Sequence, residues 1–268
     1  MPGFLRRTFA LLLRQFYLLR GSPARVVPLF AWVAIDIVLW GFITRYLNSV
    51  SNARFNFVPA MLGAVLLWDF MARVMQGITT AFLEDVWSRN FLNIFASPLR
   101  ISEYLAGLVM SSIVTSFVGL VFMLMVARGV FGLSFFSYGI VLIPALLVLF
   151  LFGIALGIAA SGMVLRLGPP SEWFVWPIPA FIAPFAAVYY PITTLPRWMQ
   201  AVGRIIPPSY VFQNIRSVVS GGTVSWGPLT YGAVLAFAYL IIASWFFWRM
   251  YRHGVRTGLI ARYSSETL

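Results

Sequence analysis

Tyr138 to Leu165 reads YGIVLIPALLVLFLFGIALGIAASGMVL, a run of 28 residues without a charged side chain. About 20 apolar residues in helical form cross a hydrocarbon core of roughly 30 Å, so this run predicts a membrane-spanning helix. Stretches of the same character flank it at residues 28–47, 57–80 and 104–127 on one side and 229–251 on the other. A sixth, Trp173–Tyr190, is shorter and interrupted by Pro177, Pro179 and Pro184. The expectation is an all-α integral membrane fold of six transmembrane helices, formed by residues 1–268 as a single domain. Composition agrees: 61% of residues are hydrophobic, 10% are charged and the mean hydropathy is +0.89. A soluble domain carries about 25% charged residues, and the charges here are too few to cover a water-facing surface.

Those charges also limit function. The net charge is +12, and all 19 basic residues are Arg, placed between apolar runs rather than along a soluble stripe. That distribution argues against a nucleic-acid partner. There is no Cys, and the single histidine, His253, sits in an Arg-rich tail. No metal site is expected. A catalytic site is not expected either, because no base accompanies a potential nucleophile. With both termini in the cytoplasm, 12 Arg fall on inside segments and 6 on outside ones, while Arg73 lies within a span. This asymmetry predicts a multi-pass protein of the plasma membrane with both ends inside.

Three segments outside the spans stand out. In residues 1–25, Leu5, Phe9, Leu12, Phe16 and Leu19 share one helical face, with Arg7 and Arg14 opposite. The pattern predicts an amphipathic helix along the membrane surface. Arg6, Arg7, Arg14, Gln15 and Arg20 interrupt the stretch too often for the apolar core of a secretion signal. The loop after the second span predicts a helix over 84–96, ended by Pro98, with Trp87, Phe91, Ile94 and Phe95 on one side. Asp85 and Arg89 lie on the other side at a spacing suited to pairing. Such a helix fits a groove on another protein or lies at the interface. Residues 191–222 are too polar and too rich in proline to span, and predict two short outer helices, about 196–206 and 208–220.

Within the spans, Asp36, Asp69 and Arg73 fall near mid-membrane. Each is costly there and must face protein or water. Asp69 and Arg73 are placed to neutralise one another along one helix, either as a structural pair or on a substrate route. Gly153, Gly157 and Ser161 have the spacing of close helix packing, expected within the subunit.

The order of these parts resembles the ABC transporter type-2 permease family: a surface helix, six spans, a loop ending in Ser97-Pro98-Leu99, and YYPITTLPRWMQAVGRIIPPSYVFQNIR before the last span. The resemblance covers nearly the whole chain and is most specific at 91–100 and 191–216. It implies the membrane permease of an ATP-driven exporter moving a lipid-like, glycan-lipid or hydrophobic drug cargo across a bacterial inner membrane. It also implies a dimer, of two copies or with a paralogous permease, working with a separate ABC ATPase subunit. By the resemblance, Glu84, Asp85, Trp87, Arg89, Phe91, Ile94 and Phe95 belong to a coupling helix docked on that ATPase. Pro191, Pro196, Trp198, Pro207, Pro208 and Arg216 belong to a re-entrant outer segment. Members often have a plainly acidic or basic coupling helix, whereas this one is mixed and aromatic. ATP and Mg would be bound by the partner alone, since a Walker A loop needs a lysine and the chain has none. A proton-coupled secondary transporter using Asp36 and Asp69, or a membrane scaffold, stands as the alternative; no inverted repeat supports the former.

Overall fold

The computed structural model describes residues 2–50, 58–88, 90, 93–94 and 97–258, and these form helices and loops with no strand. Five helical stretches are long and apolar enough to cross a membrane: Phe30–Val50, Val58–Trp87, Ile101–Phe131, Tyr138–Leu167 and Trp226–Thr257. We label the helices α1 (Pro2–Arg20), α2 (Pro23–Val50), α3 (Gly63–Trp87), α4 (Ile101–Phe131), α5 (Leu142–Leu167), α6 (Glu172–Val175), α7 (Ile178–Ile182), α8 (Arg197–Gly203), α9 (Pro207–Val219) and α10 (Trp226–Thr257).

The sixth expected span departs from expectation. Trp173–Tyr190 is not one helix but the short pieces α6 and α7 followed by turns. Proline lacks an N–H and clashes with the preceding turn, so Pro177, Pro179 and Pro184 interrupt the helical ladder before it reaches spanning length. Trp173, Phe174 and Phe181 are exposed along this segment.

Helix α3 is the centre of the bundle, and most of its side chains are buried. It packs mainly against α5 and α4, while α5 packs most extensively against α10. Glycines make the α3–α5 contact close. A Cβ on Gly153 would come within 2.7 Å of the Met71 carbonyl oxygen, and one on Gly157 within 2.9 Å of that of Met75. The Ser161 hydroxyl turns inward and donates to the Gly157 carbonyl at 2.8 Å. Small residues that let backbones approach are a common means of packing apolar helices.

The contacts also give directions. Gly153 meets Met71 and Val74, and Gly157 meets Met75 and Ile78, so α3 and α5 run parallel. Phe152 meets Tyr239 and Gly162 meets Phe246, so α10 runs parallel to both. Helix α4 runs the opposite way: Tyr104 reaches Asp85, Ser112 reaches Val74, and Gly119 faces Arg73. Helix α2 follows α4, with Phe30 against Phe122 and Gly41 beneath the Phe131 ring. Because α5 and α10 are parallel, the chain between Gly168 and Ser225 returns from the end of α5 to the start of α10. Helix α1 packs on α4 at one end of the bundle, and α9 packs near the starts of α3, α5 and α10 at the other.

Candidate functional site

At the α1 end, four charged side chains and a tyrosine join three helices. Asp85 lies in the last turns of α3, fully buried. One of its oxygens accepts a hydrogen bond from Arg14 of α1. The other accepts the Tyr104 hydroxyl of α4 at 2.8 Å. Two turns before Arg14 on the same helix, Arg7 donates to Glu103 of α4 at 3.2 Å. Glu103 also accepts the Arg100 N–H at 2.8 Å and so closes the first turn of α4. Burial works against the charge of Arg14, but the hydrogen bond and charge of Asp85 outweigh it and hold the guanidinium above its ordinary pKa.

Helix α1 is thus docked through its polar side. Arg7 and Arg14 point to the protein, Leu11 packs over Gly107, and Leu5, Phe9 and Phe16 remain exposed.

The loop helix expected over 84–96 takes a different form. Glu84, Asp85 and Trp87 continue α3, which stops at Ser88, where the Ser88 N–H bonds the Glu84 carbonyl. Nothing between Phe82 and Trp87 breaks a helix, so the span runs on instead of ending at residue 80. A further turn follows, in which the Ile94 N–H donates to the Asn90 carbonyl at 3.0 Å. Arg89, Phe91 and Phe95 lie outside the described residues, and so does the expected Asp85–Arg89 pairing. Among the described residues, Arg14 bonds one Asp85 oxygen and Tyr104 the other. Beside this junction is a cleft of about 300 Å³ lined by Arg14, Leu18, Glu84, Ser88 and Asn90.

The mid-bundle charges form a second group. Asp36 of α2 and Asp69 of α3 are close enough to repel each other, and Tyr189 of the return segment lies near both. Tyr189 stacks on Trp40 of α2, with ring centroids 5.2 Å apart. Arg73 extends across Gly119 of α4, where a Cβ would come within 2.7 Å of its Cδ. Asp69 and Arg73 attract one another but form no ion pair within 4 Å among the described residues. The expected neutralisation along one helix is therefore incomplete. Asp69 Oδ2, Arg73 Nε and Ser116 Oγ are buried without a hydrogen-bond partner.

At the far end, 191–222 folds into a compact cap. Helices α8 and α9 fall within a few residues of expectation, with Pro207 and Pro208 in the first turn of α9. Pro191 precedes a 3-10 turn, Pro196 caps α8, and Trp198 packs edge-on to Phe185 of the return segment. Arg216 donates to the carbonyls of Ala187, at 2.6 Å, and Val188, at 3.2 Å. This clamp holds Ala187 at a φ of 51°, a left-handed conformation that costs a non-glycine residue. Burial lowers the Arg216 pKa to about 10. Asn214 adds a second tie, bonding Tyr210 within α9 and the Ser225 N–H before α10.

Tyr104, Ser116 and Gly119 carry no signal of these contacts in the sequence, and Glu103 is legible there only as part of a helix start. Their roles arise across helices. Among the described residues no group of acidic or histidine side chains is arranged to hold a metal. No protein-family model matches the chain, and no curated protein matches it.

Proposed function

We propose that this chain is the membrane permease of an ATP-driven exporter, working as a pair of permeases with a separate ATPase subunit at the α1 end. One observation carries the proposal. The loop between α3 and α4 is bracketed by Asp85 and Glu103, and both are tied to the same helix, α1, by Arg14 and Arg7. A push on that loop would move α3, α4 and α1 together, as a permease without its own ATP site requires. Glu84, Asp85 and Trp87 would form the rigid stem of the coupling element, with Ile94 and the aromatic residues Phe91 and Phe95 beyond it. The cargo would be lipid-like, in keeping with the apolar spans.

In this reading residues 172–190 form the sixth crossing, as a broken rather than a continuous helix. The parallel course of α5 and α10 supports it, since the chain must regain the far end before α10 begins. An even number of crossings puts both termini in the cytoplasm and the cap of α8 and α9 outside, where it would cover the exit. The exposed apolar face of α1 would then rest in the inner surface of the membrane.

The test is a mild-detergent pull-down of the tagged chain with an ATPase assay. Recovery of a stoichiometric ATPase, lost when Phe91→Asp and Phe95→Asp are introduced into a folded chain, supports the proposal. A chain that carries no ATPase from native-like membrane particles and drives proton-dependent uptake without ATP defeats it.

A further inference from the structure

The mid-bundle group is built unlike a structural ion pair. Two opposite charges one turn apart on α3 could meet and cancel, yet Arg73 is drawn over Gly119 and, among the described residues, forms no ion pair with Asp69, which has Asp36 and Tyr189 near it. Three polar atoms of different character remain without partners: the carboxylate oxygen of Asp69, the guanidinium Nε of Arg73 and the hydroxyl of Ser116. Ser116 is one turn before Gly119 on α4, so its hydroxyl is on the face that Arg73 crosses. Leaving such atoms unpaired away from water is costly, and a group that brings the missing partners would be held tightly.

The group is also connected to the α1 end. Asp69, Arg73, Gln76, Thr80 and Glu84 recur every three or four residues along α3, and each is only half-buried. They form one polar track through an otherwise apolar bundle. It leads from the mid-bundle charges to Glu84, which lines the cleft beside Arg14.

We infer that this group is a binding site for the headgroup of an amphiphile bearing both a phosphoryl group and an ammonium, reached along the polar face of α3. The guanidinium of Arg73 supplies donors for phosphoryl oxygens, and Ser116 adds one more. Asp69 and Asp36 face the ammonium. Two carboxylates against one guanidinium disfavour a purely anionic head, and Arg73 disfavours a purely cationic one. The acyl chains need no site of their own beyond the apolar surfaces of the helices. The inference deepens the exporter proposal, and rests on it for treating the bound amphiphile as cargo.

The test is equilibrium binding to the purified full chain in dodecyl maltoside, without ATPase, read by tryptophan fluorescence. Trp40 stacks on Tyr189 and Trp68 adjoins Asp69, so both report on the group. Dioctanoylphosphatidylethanolamine should bind saturably. Dioctanoylglycerol, which lacks the headgroup, and glycerophosphoethanolamine, which lacks the chains, should each bind at least about tenfold more weakly. Arg73→Gln and Asp69→Asn should weaken the phospholipid about tenfold, and the milder Ser116→Ala about threefold. Equal binding of dioctanoylglycerol would remove the headgroup from the site. Equal binding of glycerophosphoethanolamine would make the ligand a free phospho-compound and overturn the amphiphile. Unchanged affinity in a folded Ser116→Ala chain, or in a folded Arg73→Gln chain, would place binding elsewhere. ATPase recovery is scored on the same preparation, so failure of this site and failure of the exporter reading are separate results.

Discussion

Asp85 and Asp69 lie on the same face-to-core helix, sixteen residues apart, and each has an arginine four residues downstream in the sequence. Their outcomes differ. Asp85 is fully buried with both oxygens bonded, by Arg14 of α1 and Tyr104 of α4. Asp69 keeps a buried oxygen without a partner although Arg73 is one turn away. The difference teaches that satisfaction here comes from neighbouring helices rather than from spacing along one helix. Where three helices converge at the bundle end, a carboxylate serves as their shared anchor. At mid-bundle the charges are on α2 and α3, with Tyr189 of the return segment near the two carboxylates, and Asp69 Oδ2 and Arg73 Nε are left without a hydrogen-bond partner.

The largest test of that contrast is Asp85→Ala. It leaves Arg14 without its carboxylate and the buried Tyr104 hydroxyl without an acceptor, and should cost about 3–5 kcal/mol in reversible unfolding in mixed micelles. A cost below about 1 kcal/mol would mean that the junction does not anchor α1. Double-mutant cycles come next. The Arg14→Leu, Asp85→Leu cycle should show a coupling near 2 kcal/mol, and the Asp69→Leu, Arg73→Leu cycle less than about 0.5 kcal/mol. Equal couplings would erase the distinction between the two regions. Smaller again is Glu103→Gln. Its partner Arg7 is 42% exposed, so the loss should be less than for Asp85 and should shrink further in high salt. Thermal unfolding at two salt concentrations reads both parts of that expectation. The smallest effect on stability should come from Asp69→Asn, which removes a charge without removing a hydrogen bond. Unfolding should shift by less than about 1 kcal/mol, in either direction. A loss comparable to Asp85→Ala would show that Asp69 is structural.

Much of this architecture was legible in the residues. Apolar runs located the five long helices because a span must be apolar along its whole length. Proline spacing placed α8 and α9 within a few residues, because Pro207 and Pro208 fit the first turn of a helix and little else. The broken return segment was visible as a weak span, but not as separate pieces, since the effect of Pro177, Pro179 and Pro184 depends on what packs around them. The junction was less legible. Asp85 bonds an arginine 71 residues away, on a different helix. Periodicity describes one helix at a time and carries no information on which helices meet. The same limit applied to Arg73, whose course is set by the missing side chain of Gly119 on α4.

The parallel course of α5 and α10 has a consequence for how the chain is assembled during synthesis. Two helices that face the same way cannot zip together as a hairpin, so the principal interface of α5 stays open while residues 168–225 are being made. The proline-broken pieces of that stretch have little helical ladder of their own and would depend on neighbours to shield their backbone groups. Helix α10 emerges after the other described helices, and its arrival covers α5 and fastens the cap through Asn214 and Ser225. Helix α10 therefore acts as the locking piece of the described fold. A chain cut short before it would present an unfinished surface to the cell's quality control, even with most of its spans in place.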